Sequence, residues 1–134
     1  AIETNDIGAL KTAAIAALTT NQVNALSTDQ IQSLSTAQFA AMTTANLASG
    51  LTTDQIVAMS SAQFGAFSSN QFGALSTGDI AAIETADIVG LKTSIIASLK
   101  TAQLAALTTD QLSNLTTGQI AAITTANIQA LTTD

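Results

Sequence analysis

The chain has 134 residues, 47% of them apolar, which is enough to bury a core if the pattern allows it. Only 9% are charged, with Lys11, Lys92 and Lys100 against nine carboxylates, so no cationic patch exists to neutralise a run of phosphates or dock on an anionic membrane, and no nucleic acid partner is expected. Cys and His are absent, which removes disulfides, thiolate metal ligands and the commonest general base, and no apolar run approaches the roughly 18–20 residues that cross a bilayer, so membrane insertion is not expected either.

Self-similarity organises everything else, and its period is eight. The first position of each unit is large and apolar: Ile2, Leu10, Leu18, Leu26, Leu34, Met42, Leu51, Met59, Phe67, Leu75, Ile83, Leu91, Leu99, Leu107, Leu115, Ile123 and Leu131. The sixth is equally strict, running Ile7, Ile15, Val23, Ile31, Phe39, Leu47, Ile56, Phe64, Phe72, Ile80, Ile88, Ile96, Leu104, Leu112, Ile120 and Ile128. A representative unit is Leu-Thr-Thr-Asp-Gln-Ile-Val-Ala over Leu51 to Ala58. The phase slips once, by one residue, at Ala48-Ser49-Gly50, so 1–134 reads as a single array of about sixteen octads. Ala1 and Asp134 both fall in mid-pattern, from which we expect an excerpt of a longer protein.

Apolar spacings that alternate five and three fit neither a strand nor a heptad seam. A continuous helix fails as well, because eight residues at about 100° each would rotate the apolar stripe by about 80° per unit and leave it no face to bury. The helix must be interrupted once per octad, and the hydroxyl pair at positions two and three is the natural place, since Ser and Thr favour N-caps over helix interiors. Position three is Thr or Ser in every copy, from Thr4 to Thr133, whereas position two admits Glu3, Lys11, Glu84, Lys92 and Lys100, so we place the cap at position three. The rival register caps at position two and forms Ser/Thr-x-x-Gln boxes such as Thr19 to Gln22 and Ser68 to Gln71.

Helices of roughly five to seven residues are far too short to persist alone, so stacking must hold them. Small residues at position eight, such as Ala9, Ala17, Ser33, Ala74, Gly90 and Ala130, suit close approach. The expected fold is therefore all-α, an α-solenoid with one very short helix per octapeptide repeat, and two octads per superhelical turn is the preferred geometry. A parallel β-solenoid is the structural alternative, disfavoured by abundant Ala and Gln and sparse Gly.

Position five carries Gln, Asn or Asp in fourteen of sixteen copies, with Ala14 and Ile95 the exceptions. Such a row either grips an extended ligand or satisfies the backbone groups orphaned at helix ends, and the second reading is favoured. Asp6, Asp29, Asp54, Asp79, Asp87 and Asp110 follow the hydroxyl pair, where a carboxylate favours the helix N-terminus, so no metal and no cofactor is expected. Phe39, Phe64, Phe67 and Phe72 occupy positions one and six and are read as core. The slip at Gly50 is read as a tolerated irregularity. Tyr and Arg are also missing, no phosphate loop or nucleophile elbow occurs, and the remaining Ser, Thr, Asp, Glu and Lys sit at repeat-equivalent places, so an enzyme is not expected.

The octads, as in Leu51-Thr-Thr-Asp-Gln-Ile-Val-Ala58, resemble octapeptide-repeat regions of very large bacterial surface or secreted proteins of adhesin-like or haem-utilisation-like type. The resemblance covers the whole chain and implies an extracellular or cell-surface setting and a stalk or scaffold whose partners are other parts of the same large protein. The leading functional expectation is a structural spacer. The alternative is an adhesive module whose Thr/Ser and Gln rows engage a glycan, another copy or ice. End-to-end self-association is expected to be possible, because exposed apolar ends of a repeat array tend to associate.

Overall fold

In the computed structural model, which describes residues 2–129 and 131, each octad folds into one helix of 4 to 6 residues. The first turns of the array comprise α1 (Thr4–Ile7), α2 (Thr12–Ala16), α3 (Thr20–Asn24), α4 (Thr28–Ser33), α5 (Thr36–Ala40) and α6 (Thr44–Ser49). The middle holds α7 (Thr53–Ala58), α8 (Ser61–Gly65), α9 (Ser69–Gly73), α10 (Thr77–Ala82) and α11 (Thr85–Ile88). The last are α12 (Thr93–Ser98), α13 (Thr101–Ala105), α14 (Thr109–Ser113), α15 (Thr117–Ala122) and α16 (Thr125–Ile128). The chain is all-α, and no strand occurs among the described residues, so the parallel β-solenoid is set aside. Ala130 and Thr133 lie outside the described residues.

Every helix begins at position three, which corrects the expected cap by one residue: the N-cap is position two. The reason is geometric. An N-cap needs an extended backbone and an oxygen that reaches the amide of N3, and position two has both, as at Thr52 with φ −98°, ψ 160° and Oγ1 accepting from Gln55 N at 3.2 Å. The same bond recurs from Thr19 at 3.3 Å, Ser68 at 3.1 Å and Thr108 at 3.2 Å. Glu3, Lys11, Glu84, Lys92 and Lys100 also stand at N-caps but make no such bond, so the helix start tolerates losing its cap. Position three is the first helical residue, and its hydroxyl can reach another turn instead, as from Ser61 Oγ to Asp87 Oδ1 at 2.7 Å.

Each helix except α6 closes with a tight turn in which position one of the next octad donates its N–H to the position-six carbonyl, as from Leu26 to Val23 at 3.1 Å and from Leu107 to Leu104 at 3.1 Å. Among the described residues none adopts a positive φ, so glycine-type C-caps are not used there. Position one is then extended, at ψ 133° for Leu34 and 150° for Met59, and position two follows in the same region. Two extended residues move the chain about 7 Å aside before the next helix starts, so successive helices do not fold back beside one another.

Three octads, not two, therefore complete a superhelical turn. Each helix packs on the one three before it, α4 on α1, α7 on α4 and α10 on α7, with α5 on α2, α8 on α5 and α6 on α3 along the other two sides. Positions one and six from all three sides fill one continuous core running from Ile7 to Leu107. Phe39, Phe64, Phe67 and Phe72 are within 1% of complete burial, and Phe67 meets Phe39 edge-on at 5.8 Å and Phe64 at 6.2 Å between centroids. They are core, as their positions require.

Close approach explains two glycines. At the slip, Gly50 extends α6 by a turn-closing bond to Asn46 O at 2.8 Å, and a Cβ there would lie 3.2 Å from the Val23 Cβ and 2.5 Å from Asn46 O. At position eight, a Cβ on Gly90 would lie 2.7 Å from Ser61 O across the α8–α11 contact. The register is tested by a pair of substitutions: Thr52→Ala is expected to lower stability by about 1 kcal/mol, and Thr53→Ala by less than about 0.5 kcal/mol, in denaturant unfolding. The reverse order would return the cap to position three.

Candidate functional site: an amide ladder between turns

The position-five amide is the most specialised side chain in the repeat, and each half of it serves a different helix. Its oxygen completes a capping box on its own helix: Gln63 Oε1 accepts from the Ser60 N–H at 2.9 Å while Ser60 Oγ accepts from the Gln63 N–H at 3.3 Å. Its nitrogen crosses to the end of the helix four octads earlier. Gln63 Nε2 donates to Ile31 O at 2.9 Å and Leu34 O at 2.8 Å, the carbonyls that close α4. Gln38 does the same to Ile7 and Leu10, Gln55 to Val23 and Leu26, Gln71 to Ala40 and Met42, and Gln111 to Ile80 and Ile83.

Apolar packing thus joins a helix to its third predecessor, and the amide joins it to its fourth. One side chain caps the start of one helix and the end of another. From Gln38 onward the amides are buried, and no buried side-chain polar atom lacks a partner among the described residues. From Gln38 onward the row is therefore not available to an extended ligand, and of the two readings of these amides the structural one holds there.

Substitutions in the row show which half of the amide each alternative preserves. Asn46 and Asn127, one methylene shorter, form no box but still donate to Leu18 O at 2.8 Å and Leu99 O at 2.6 Å. Asp79 keeps the box, with Ser76 N–H donating to Oδ2 at 3.1 Å, but as an acceptor-only group it makes no bond to the end of α6. Asp87 accepts from Ser61 Oγ at 2.7 Å instead, and Ile95 is buried in the core. Three consecutive helices, α10 to α12, hence lack the cross-turn donor. A cut between α5 and α6 severs four amide bridges, from Asn46, Gln55, Gln63 and Gln71, whereas a cut between α9 and α10 severs one, from Gln103. Lys100 strengthens that last corner by donating from Nζ to Gly73 O at 2.9 Å, a cation at a helix C-terminus.

The six aspartates Asp6, Asp29, Asp54, Asp79, Asp87 and Asp110 all lie in the first turn of a helix, where the sequence places them. Among the described residues no three His, Cys, Asp or Glu side chains converge, and no helix is long and apolar enough to cross a membrane. What the sequence reading missed is the second bond of each amide. Its signal is present in the sequence only as a fixed offset of 28 to 32 residues, four octads, which has no meaning until the number of octads per turn is known.

A family model described as the ALTTAQ repeat matches residues 1–36, 49–77 and 80–117. The name spells positions eight and one to five of the octad, as in Ala106-Leu107-Thr108-Thr109-Asp110-Gln111, and so ends on the bridging amide. No curated protein and no solved structure matches the chain.

Two outcomes follow from the ladder. Gln63→Leu leaves the carbonyls that close α4 without their donor and is expected to cost about 2–3 kcal/mol, while Gln22→Leu, at an exposed amide with no cross-turn bond, is expected to cost under about 1 kcal/mol in the same unfolding assay. In native-state hydrogen exchange, the opening that separates α9 from α10 is expected to lie about 1–3 kcal/mol below the one that separates α5 from α6. Equal protection on both sides of the array would show that the bridges do not set its weak point.

Proposed function

This chain belongs to the ALTTAQ repeat family, and from that premise we propose that it is a structural spacer that extends or presents other parts of a larger bacterial surface or secreted protein. The observation that supports the reading is the internal use of its most specific polar group. From Gln38 onward every position-five amide is consumed in joining one turn to the next, and every octad packs on its third predecessor, so adding octads lengthens the array without changing its chemistry. The Ser, Thr, Asp and Lys side chains remain at repeat-equivalent places rather than gathered at one, which favours a scaffold over a catalyst. The resemblance to repeat regions of large surface proteins supports an extracellular or cell-surface setting.

Small-angle scattering on chains of eight, sixteen and thirty-two octads tests the role. With helices stacked about 8–10 Å apart, length is expected to rise by about 9 Å for every three octads, linearly. A radius of gyration that grows only as that of a compact globule would end the spacer reading.

A further inference from the structure

Because three octads make a turn, every third helix shares a side of the superhelix, and the three sides differ in what they show to solvent. On the side of α1, α4 and α7, position four holds Asn5, Asp29 and Asp54; on the side of α3, α9 and α12 it holds Asn21, Asn70 and Ser94. On the side of α2, α5, α8 and α11, positions four and seven hold only alanine, glycine or valine, from Ala13 and Ala16 to Ala86 and Val89. Val89 is 46% exposed there. The one carboxylate within these four helices, Asp87, is half-buried and spent on Ser61 Oγ at 2.7 Å.

Midway along this side, Thr36, Ala37 and Ala40 of α5 and Ala62, Gly65 and Ala66 of α8 line an open groove of ≈ 390 Å³. Unspent charge is confined to either end of it. Lys11 stands at the N-cap of α2, while Glu84 stands at the N-cap of α11 and Asp110 lies on α14, the next helix of the same side. All three are exposed, and neither N-cap side chain bonds its own helix.

We propose that a second copy of this chain packs against this side, antiparallel and related by a two-fold axis. Shape and charge select the same register. With α8 of each copy seated in the α5–α8 groove of the other, Ala62 and Gly65 lie beside the axis and let the backbones approach, and Val89 enters between α2 and α5 of the second copy, where Ala16 and Ala37 leave room. Helices stacked about 9 Å apart then place Lys11 half a turn, about 4–5 Å along the axis, from both Glu84 and Asp110 of the second copy. The cation at one end of the side thus meets the two carboxylates at the other, twice per dimer. Parallel pairing instead sets each helix ridge against its own counterpart and Val89 against Val89. Five helices make a contact about 45 Å long and 12 Å wide, burying about 1,000 Å² over both copies, the lower bound for a specific, reversible dimer. Because the same surface serves both copies, the contact closes on itself at two.

The inference rests on a lateral surface and not on the spacer role, whose length scaling along the axis holds whether or not copies pair. Sedimentation velocity of the full chain, taken up to millimolar concentration, is expected to show a monomer–dimer equilibrium and nothing larger. Ala62→Glu sets an acid beside its symmetry mate and is expected to abolish the dimer; the residue is exposed, and helical circular dichroism confirms that the variant folds. Lys11→Glu is expected to weaken pairing about tenfold, and adding Glu84→Lys to recover most of the loss. Lys92→Glu makes the same change in net charge at an exposed position beyond the contact and is expected to leave pairing unchanged. A chain that stays monomeric at millimolar concentration, an Ala62→Glu variant that dimerises like the parent, or equal weakening by Lys11→Glu and Lys92→Glu would each overturn the proposal.

Discussion

A helix of five residues has no interior. Its first four N–H groups and last four C=O groups are the whole of it, so nearly every backbone polar group is an end group that must find a partner elsewhere. The rest of this structure depends on how that constraint is met. The Gln at position five meets it twice, accepting from the N-cap of its own helix and donating to the closing carbonyls of the helix four octads earlier. Because each backbone group left unpaired in the interior would cost on the order of 1–3 kcal/mol, the amide is as necessary to the fold as the apolar residues beside it.

The apolar positions supply the attraction, and the amides supply the register. Positions one and six bury large side chains against the third predecessor, but a hydrophobic core is non-directional and would accept a slide or rotation of one turn on the next. The amide, fixed at its oxygen by the capping box, reaches carbonyls only at one offset. Where Asp79, Asp87 and Ile95 replace it, the stack is held by apolar contacts, by the Ser61–Asp87 bond and by Lys100 on Gly73. Phe64, Phe67 and Phe72 lie just before this stretch, with Phe39 packed on Phe67 from an earlier turn, and place large buried side chains next to the seam with few cross-turn bonds.

The same directional logic makes the array polar along its length. Amides face back and position-six side chains face forward, so every turn ends in a surface shaped for another turn. That property follows from the repeat and not from any specialised residue, which is why a uniform, weakly charged sequence can specify an extended form. From Gln38 onward the amides best suited to grip an extended molecule already grip the chain's own backbone.

Much of this was fixed by local pattern alone. The period of eight, one short helix per octad, the core at positions one and six, the buried Phe residues and the first-turn aspartates all follow from spacing and from the chemistry of caps, because each involves residues within a single octad. The cap register was open by one residue, since positions two and three both carry hydroxyls; the backbone angles at Thr52 and its equivalents put the cap at position two. Three octads per turn, the partner of each amide four octads away and the weak seam at α10 to α12 belong to the tertiary structure. They depend on the angle at which one helix leaves the last, set by two extended residues between them, and such an angle accumulates over neighbouring octads without leaving any mark in the sequence of one.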